Sequence, residues 1–412
     1  MWASSSFRRA FPGVRELASG LRRATSPCLL FPFLVLLLPI SACQGDGGQA
    51  GAPGGETGDR GLEAGGPQAE DGGQQAEGGG QQAHSGAEDF RSLPALRFDQ
   101  DGHFTIVHFT DTQDDQELDP RTVALMEAIL DEHTPDLVVF TGDNIRSGPE
   151  SPEDVWEAMD GFADPVDSRG IPWFVTFGNH DEDHTPLTGV DEKAMLERYM
   201  SYSNNVNLRG PQGVDGTGNM HLLVRGSVED APRLVLWGLD SNRYVPDSIG
   251  RQTVAADGLR TYDWIRPSQI AWYVETSREL EDRNGKPVPG LMFFHIPLPE
   301  FELMWENREN HGVTGEKNED VAAGVFNSGL FGAVKDREDV VGIFVGHDHV
   351  NDFVGDYFGV RLGYSANVGF GTYGLEGEAR DRMRGARVLV IPEEDPASFE
   401  TFMVYARDYG IE

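Results

Sequence analysis

Five short polar clusters punctuate this chain, and each stands directly behind a run of apolar, strand-forming residues. They are Asp111-Thr112-Gln113 after HFTIVHFT, Gly142-Asp143-Asn144 after DLVVFT, and Gly178-Asn179-His180-Asp181 after WFVTF. His295 follows LMFF, and Gly346-His347-Asp348-His349 follows VVGIFV. A short apolar run bounded by turn residues reads as a buried strand. Ligand sites in α/β sheets gather outside the carboxyl ends of such strands. A chain that ends five strands on carboxylates, carboxamides and imidazoles is therefore constrained in fold and in chemistry together.

Between the clusters the pattern alternates. Strands are expected over 103–110, 136–141, 173–177, 221–225, 233–239, 291–295, 340–345, 357–364, 387–391 and 399–406. Helical periodicity covers 122–131, 152–162, 191–200, 267–281 and 320–335. Strand–helix alternation followed by a strand-rich end predicts an α/β layered core with two packed sheets.

The polar groups at the strand ends include no sulfur. The only cysteines, Cys28 and Cys43, both precede residue 44, so the rest of the chain has no thiolate nucleophile and no thiolate metal site. Mixed N/O donors of this kind suit Mn, Fe or Zn. Taken singly, each cluster has an ordinary explanation. Asp111 could cap a turn, Gly142-Asp143-Asn144 is a common turn sequence, and His295 could be a satisfied core histidine. His347 and His349, at i and i+2 on an extended segment, face the same way and form a chelating pair. The joint occurrence of all five clusters, in this order, favours a metal centre.

The segments ahead of these strands read differently. In residues 1–43, five arginines oppose one glutamate before the apolar run LLFPFLVLLLPI. That run is too short to span a bilayer and has the length of a signal-peptide core. Ile40-Ser41-Ala42-Cys43 behind it resembles a bacterial lipobox, which makes 1–43 an expected lipoprotein signal peptide and Cys43 its lipid attachment site. An ordinary cleaved signal and an uncleaved anchor are the competing readings. Residues 44–92, rich in Gly, Gln and acidic residues, read as a disordered tether with an r.m.s. reach of about 35–40 Å. Residues 93–412 are expected to form one domain. The expected location is the bacterial cell envelope, with the membrane held through the lipid. No run of 18 apolar residues occurs, which excludes a polytopic membrane protein. A formal charge of −35 argues against nucleic acid as a partner.

The cluster order resembles that of the calcineurin-like metallophosphoesterases, D-x-H, GD, GNH[DE], a lone His and GHxH, across nearly all of 103–390. FTGDNI (140–145), FGNHDED (177–183), HIPLPE (295–300) and GHDHVNDF (346–353) look like the fungal and plant branch grouped with purple acid phosphatases, and SQIAWY (268–273) and NSGLF (327–331) fit it. The resemblance implies a four-layer sandwich, two mixed β-sheets flanked by helices, with a binuclear metal site at one edge. It implies two divalent or trivalent ions, with Asp111, Asp143 and His349 on the first, Asp143 bridging, and Asn179, His295 and His347 on the second. His180 would face a small phosphoester and protonate its leaving oxygen, while a metal-bridging hydroxide attacks in line. The resemblance leaves the choice between monoester and diester open.

Two departures from the family pattern stand out. Gln113 occupies the position of the His in D-x-H, so the first metal would take a neutral amide oxygen, or Gln113 would turn into a hydrogen-bond network instead. Arg146 stands three residues after the bridging Asp, where purple acid phosphatases carry the tyrosine behind their colour. The alternative expectation is a catalytically degenerate metal- or phosphate-binding lipoprotein.

Overall fold

The structure is a computed structural model that describes residues 93–249, 252–253 and 261–411. The expected signal peptide, Cys43 and tether lie outside the described residues. Strands β1 (His103–Phe109), β2 (Leu137–Thr141) and β3 (Trp173–Thr176) are joined by helices α1 (Pro120–His133) and α2 (Pro152–Asp167). Both helices start with proline, whose missing N–H costs nothing there. Asp119 accepts from the Arg121 N–H, and Ser151 and Asp154 form a capping box. Helices α3 (Thr185–Thr188) and α4 (Glu192–Tyr199) lead to β4 (Met220–Arg225) and β5 (Pro232–Gly238). A small hairpin, β6 (Ser248–Ile249) and β7 (Gln252–Thr253), precedes α5 (Pro267–Asn284), β8 (Gly290–Phe293) and α6 (Glu300–Glu306). The chain closes with α7 (Leu330–Arg337), β9 (Val340–Val345), β10 (Val354–Tyr357), β11 (Val360–Tyr364), β12 (Gly385–Pro392) and β13 (Glu400–Tyr405).

These strands make two mixed sheets, ordered β13-β12-β1-β2-β3 and β10-β11-β9-β8-β5-β4. β1, β2 and β3 run parallel, as do β5, β8, β9 and β11. Side chains alternate across each strand. Ile106, Val139 and Phe174 of the first sheet meet Leu236, Leu291, Phe293 and Phe344 of the second in a central core. Val107, Val138 and Phe140 face the other way onto Leu125 and Met126 of α1 and Phe162 of α2. Trp237, Met292 and Val345 face Tyr273 of α5, Phe301 of α6 and Leu330 of α7. The four layers expected from the sequence are present.

Register decides where the polar clusters go. Phe109 pairs with Phe140 and Phe140 with Val175, so the three parallel strands end level. Phe293 pairs with Phe344, so β8 and β9 end level too. All five clusters are thereby delivered to one edge of the sandwich.

Three local expectations are corrected. The strand expected over 357–364 is a hairpin, β10 and β11, turned at Phe358 and Gly359 with φ of 53° and 83°. Two consecutive positive φ values are the mark of a type I′ turn, and Gly359 takes the second without strain. The helix expected over 320–335 begins only at Leu330. Ahead of it the backbone bonds to distant groups instead: the Val325 N–H reaches the Tyr262 carbonyl and the Ala322 N–H the Asp348 carboxylate. The short helix α6 lies in a segment for which no helix was expected.

Candidate metal centre

Asp111 leaves β1, Asp143 leaves β2 and Asn179 leaves β3, while His295 leaves β8 and His347 and His349 leave β9. All six are buried. The chain turns so sharply behind these strands that Asp111, Gln113, Asp143 and His347 sit at φ of 52°, 41°, 49° and 75°. Left-handed backbone at non-glycine residues costs about 1–3 kcal/mol each and gathers at functional sites. Small residues make room beside them. A Cβ on Gly178 would lie 2.3 Å from Asp143 Oδ1, and one on Gly346 would lie 2.7 Å from Asp111 Oδ2.

Two groups of potential ligands result, Asp143 with His295 and His347, and Asp111 with Asp143 and His349. Asp143 belongs to both. His295 Nδ1 donates to the Thr141 carbonyl at 2.7 Å, which leaves Nε2, 3.2 Å from Asp143 Oδ2, as the ring atom turned to the carboxylates. His349 Nδ1 faces the Tyr373 carbonyl at 3.4 Å, and its Nε2 lies 3.2 Å from Asp111 Oδ1. A carbonyl acceptor behind an imidazole fixes the tautomer in this way at metal sites. His347 Nδ1 lies 3.2 Å from His295 Nε2.

The donor set fits a cation pair on its own evidence. Asn179 Oδ1 and Asp111 Oδ1 are buried without a hydrogen-bond partner, although such atoms ordinarily find one. Burial works against a charge on His295, but the carboxylates of Asp143 and Asp111 outweigh it and raise its pKa to about 10. Burial likewise opposes charge on Asp143, and the nearby His295 nonetheless holds its carboxyl below the usual range. The buried carboxylates at this edge thus favour positive charge beside them. His347 answers oppositely: burial and the neighbouring His295 charge lower it to about 3, keeping a neutral imidazole.

Gln113 lies in the same cluster, with its Nε2 donating to Asp143 Oδ2 at 3.0 Å and its Oε1 accepting from the Thr372 hydroxyl. Both ends of the Gln113 amide are thus engaged in hydrogen bonds. Arg146 turns away to Asp115, at 2.6 Å, and to the Gly371 carbonyl. His180 stands at the rim, its side chain 35% exposed, with its backbone N–H donating to Asp143 Oδ1 at 2.7 Å. Its Nδ1 meets Asp183 Oδ2 at 2.5 Å. Burial disfavours the imidazolium, but Asp183 and Asp143 outweigh that and raise the pKa.

Sequence reasoning assigned no role to several residues that hold this geometry. Asp181, buried, accepts from the backbone N–H groups of Gly178, Asp143, Asn144 and Ile145 and so ties the β2 loop to the β3 loop. Arg243 donates to Asp183 Oδ1 at 2.8 Å and to the Asn179 carbonyl at 2.9 Å. Asp181 was visible in GNHD and Asp183 three residues after His180, but the β2-loop N–H groups that Asp181 collects and the Arg243 that holds Asp183 lie too far along the chain for spacing to name. Glu300 of HIPLPE accepts from Asn327 of NSGLF at 2.8 Å, and Gln269 of SQIAWY donates to the Asp240 carbonyl, so the remaining motifs brace the same edge.

Comparison with known proteins agrees with this geometry. Residues 104–351 match the calcineurin-like phosphoesterase family. The chain is similar to two proteins of Arabidopsis thaliana, probable inactive purple acid phosphatase 14 and probable inactive purple acid phosphatase 29. It is 31% identical to the first over 313 residues, covering 69% of this chain and 75% of that one. It is 33% identical to the second over 329 residues, covering 72% and 78%. It is also similar to phosphatase DCR2 of Saccharomyces cerevisiae, 34% identical over 245 residues that cover 57% of this chain and 39% of that protein. The buried carboxylates and imidazoles at this edge therefore stand in a chain that belongs to the calcineurin-like phosphoesterase family.

Proposed function

We propose that the protein is a metal-dependent phosphoester hydrolase with two ions held between its sheets. The observation that carries this reading is Asp143, a buried carboxylate common to two ligand groups that each draw on both sheets. Asp111, Asp143 and His349 would hold one ion, and Asp143, Asn179, His295 and His347 the other; Fe, Mn and Zn all suit these donors. When bound, such a pair supplies charge neutralisation for phosphate oxygens and activation of water. The chain's own residues do the rest. His180, whose pKa Asp183 and Asp143 raise against the effect of burial, presents its second ring nitrogen as a proton donor to the leaving oxygen. Arg243 fixes Asp183 and the Asn179 carbonyl, and so holds the imidazole in place. The substrate is a small phosphoester; the acidic chain disfavours nucleic acid.

A second reading, a binder without turnover, draws on one observation. The Gln113 amide nitrogen occupies Asp143 Oδ2, the oxygen that also faces His295, and two of the relatives carry "inactive" in their names. Metal analysis combined with a panel of phosphomonoesters and phosphodiesters separates the two. Two ions per chain with metal-dependent turnover support the hydrolase. Two ions with no turnover on any ester support the binder.

For the N-terminal part we propose export as a bacterial lipoprotein held in the cell envelope through Cys43. The support is the lipobox-like Ile40-Ser41-Ala42-Cys43 at the end of the apolar run. The mature chain is expected to begin at Cys43 and to carry acyl mass, and Cys43→Ser is expected to block membrane partitioning. An intact mass without acyl addition overturns this.

A further inference from the structure

The two histidines of the Gly346–His349 turn each carry an aromatic ring from a distant part of the chain. Tyr373 lies flat on His349, with centroids 3.9 Å apart and planes 10° apart. Tyr262 meets His347 edge-on at 4.3 Å. Neither tyrosine is needed to complete the ligand groups. Tyr373 is also 48% exposed, a large fraction for a ring stacked on a buried imidazole. One of its faces covers His349, so a planar ligand can reach only the other face and the edge. The residue is held at both ends. Its hydroxyl donates to Glu319 Oε2 at 3.0 Å, and its carbonyl accepts from the buried guanidinium of Arg384 at 3.0 Å. A rigid, half-exposed π-face beside the ligand groups is a preorganised surface for another planar group. The charge around it narrows the choice further. Glu319 lies against the hydroxyl and the Arg384 guanidinium against the backbone carbonyl, so a leaving group that carries additional negative charge is repelled at the hydroxyl end of the ring.

Building on the phosphoester reading above, we propose that the preferred substrates are esters of uncharged aromatic alcohols, with the exposed face of Tyr373 stacking on the leaving group. Tyr373 is thus a specificity-determining residue, set apart from the residues that would hold metal. The competing role is purely structural, a ring that keeps His349 oriented.

Binding of phosphonates, which are not hydrolysed, tests this without reliance on turnover. Phenylphosphonate and methylphosphonate are titrated calorimetrically into the metal-loaded protein, wild type and the variants Tyr373→Ala, Tyr373→Leu and Tyr373→Phe. The wild type is expected to favour the phenyl compound about three- to tenfold, the range of one aromatic stack. Tyr373→Ala and Tyr373→Leu are expected to erase that preference and leave methylphosphonate affinity within twofold of wild type. Tyr373→Phe is expected to keep it. Leucine keeps bulk over His349, so it separates lost stacking from a fold disturbed by truncation. A wild type without preference overturns the proposal, as does an equal loss for both ligands in Tyr373→Leu. In both of those cases the phosphoester reading still stands. If the metal-loaded wild type binds neither phosphonate, that reading falls and takes this one with it.

Discussion

The two sheets bring opposite chemistry to the shared edge. The five-stranded sheet ends in oxygen donors, Asp111, Asp143 and Asn179, with Gln113 beside them. The six-stranded sheet ends in nitrogen donors, His295, His347 and His349. The oxygen side carries most of the strain, with positive φ at Asp111, Gln113 and Asp143, against His347 alone on the nitrogen side. The nitrogen side is in turn oriented from across the gap, because His295 donates to Thr141, the last residue of β2. Neither half is a site alone. The first concentrates buried negative charge that needs a partner, and the second supplies imidazoles aimed by the first.

The largest break in that arrangement is Asp143→Asn. Removing the shared charge would leave two cations facing each other across a neutral amide. Loss of most bound metal is expected, with a fall in kcat on the order of a thousandfold. Metal analysis and kinetics check it, and two retained ions with near-normal kcat would show that the sheets do not meet on this residue.

Gly178→Ala strikes the seam itself. The added Cβ would lie 2.3 Å from Asp143 Oδ1 and 2.5 Å from its backbone nitrogen. A destabilisation of about 1–3 kcal/mol is expected from the forced shift. Metal affinity should also weaken about tenfold as the ligand turns away. Urea melts with parallel metal titration measure both. A stable variant with unaltered affinity would mean that the close approach of the β2 and β3 loops is dispensable.

His108 lies between the sheets beneath the site, against Phe293 and Phe344, and bonds Thr141 Oγ1 at 2.7 Å. Burial, aided by Arg387, lowers its pKa from 6.5 to about 3. The unfolded chain therefore takes up a proton first as pH falls. The contribution is complete above pH 6.5 and is lost progressively from there down to about 3. Between pH 7 and 5.5 the loss amounts to about 1 kcal/mol. His108→Phe should flatten that part of the stability profile in denaturant melts, and an unchanged slope would exclude His108 as its source.

Gln113 gives the smallest effect. Metal titrations of the wild type, Gln113→His and Gln113→Ala are compared after chelator treatment. An imidazole on the first ion should tighten one site about tenfold, more for Zn and Fe than for Mn. Three superimposable curves would confine Gln113 to its bonds with Asp143 and Thr372.

Much of this edge was legible in the sequence, for a physical reason. A buried parallel strand must be apolar throughout, and the residues behind it must turn, so the five clusters announced both the strands and the chemistry at their ends. The same local rules misread 320–335, where helical periodicity lost to bonds with Asp348 and Tyr262. They also misread 357–364, where a two-residue turn was hidden inside an apolar stretch. Asp181 was in plain view in GNHD, yet nothing local says that one carboxylate collects four backbone N–H groups from two loops.

The sequence by itself determined the strand ends, the absence of thiolate chemistry in the domain and the set of donor types, because these follow from composition and from the two-residue and 3.6-residue periods of the backbone. Only the tertiary structure decided which donors meet, that Asp143 stands between both groups, which way the Gln113 amide turns, and that Tyr373 covers His349 with its other face exposed. Those facts depend on strand order and register between two sheets, and residues more than 200 positions apart, such as Asp111 and His349, carry no local trace of the pairing.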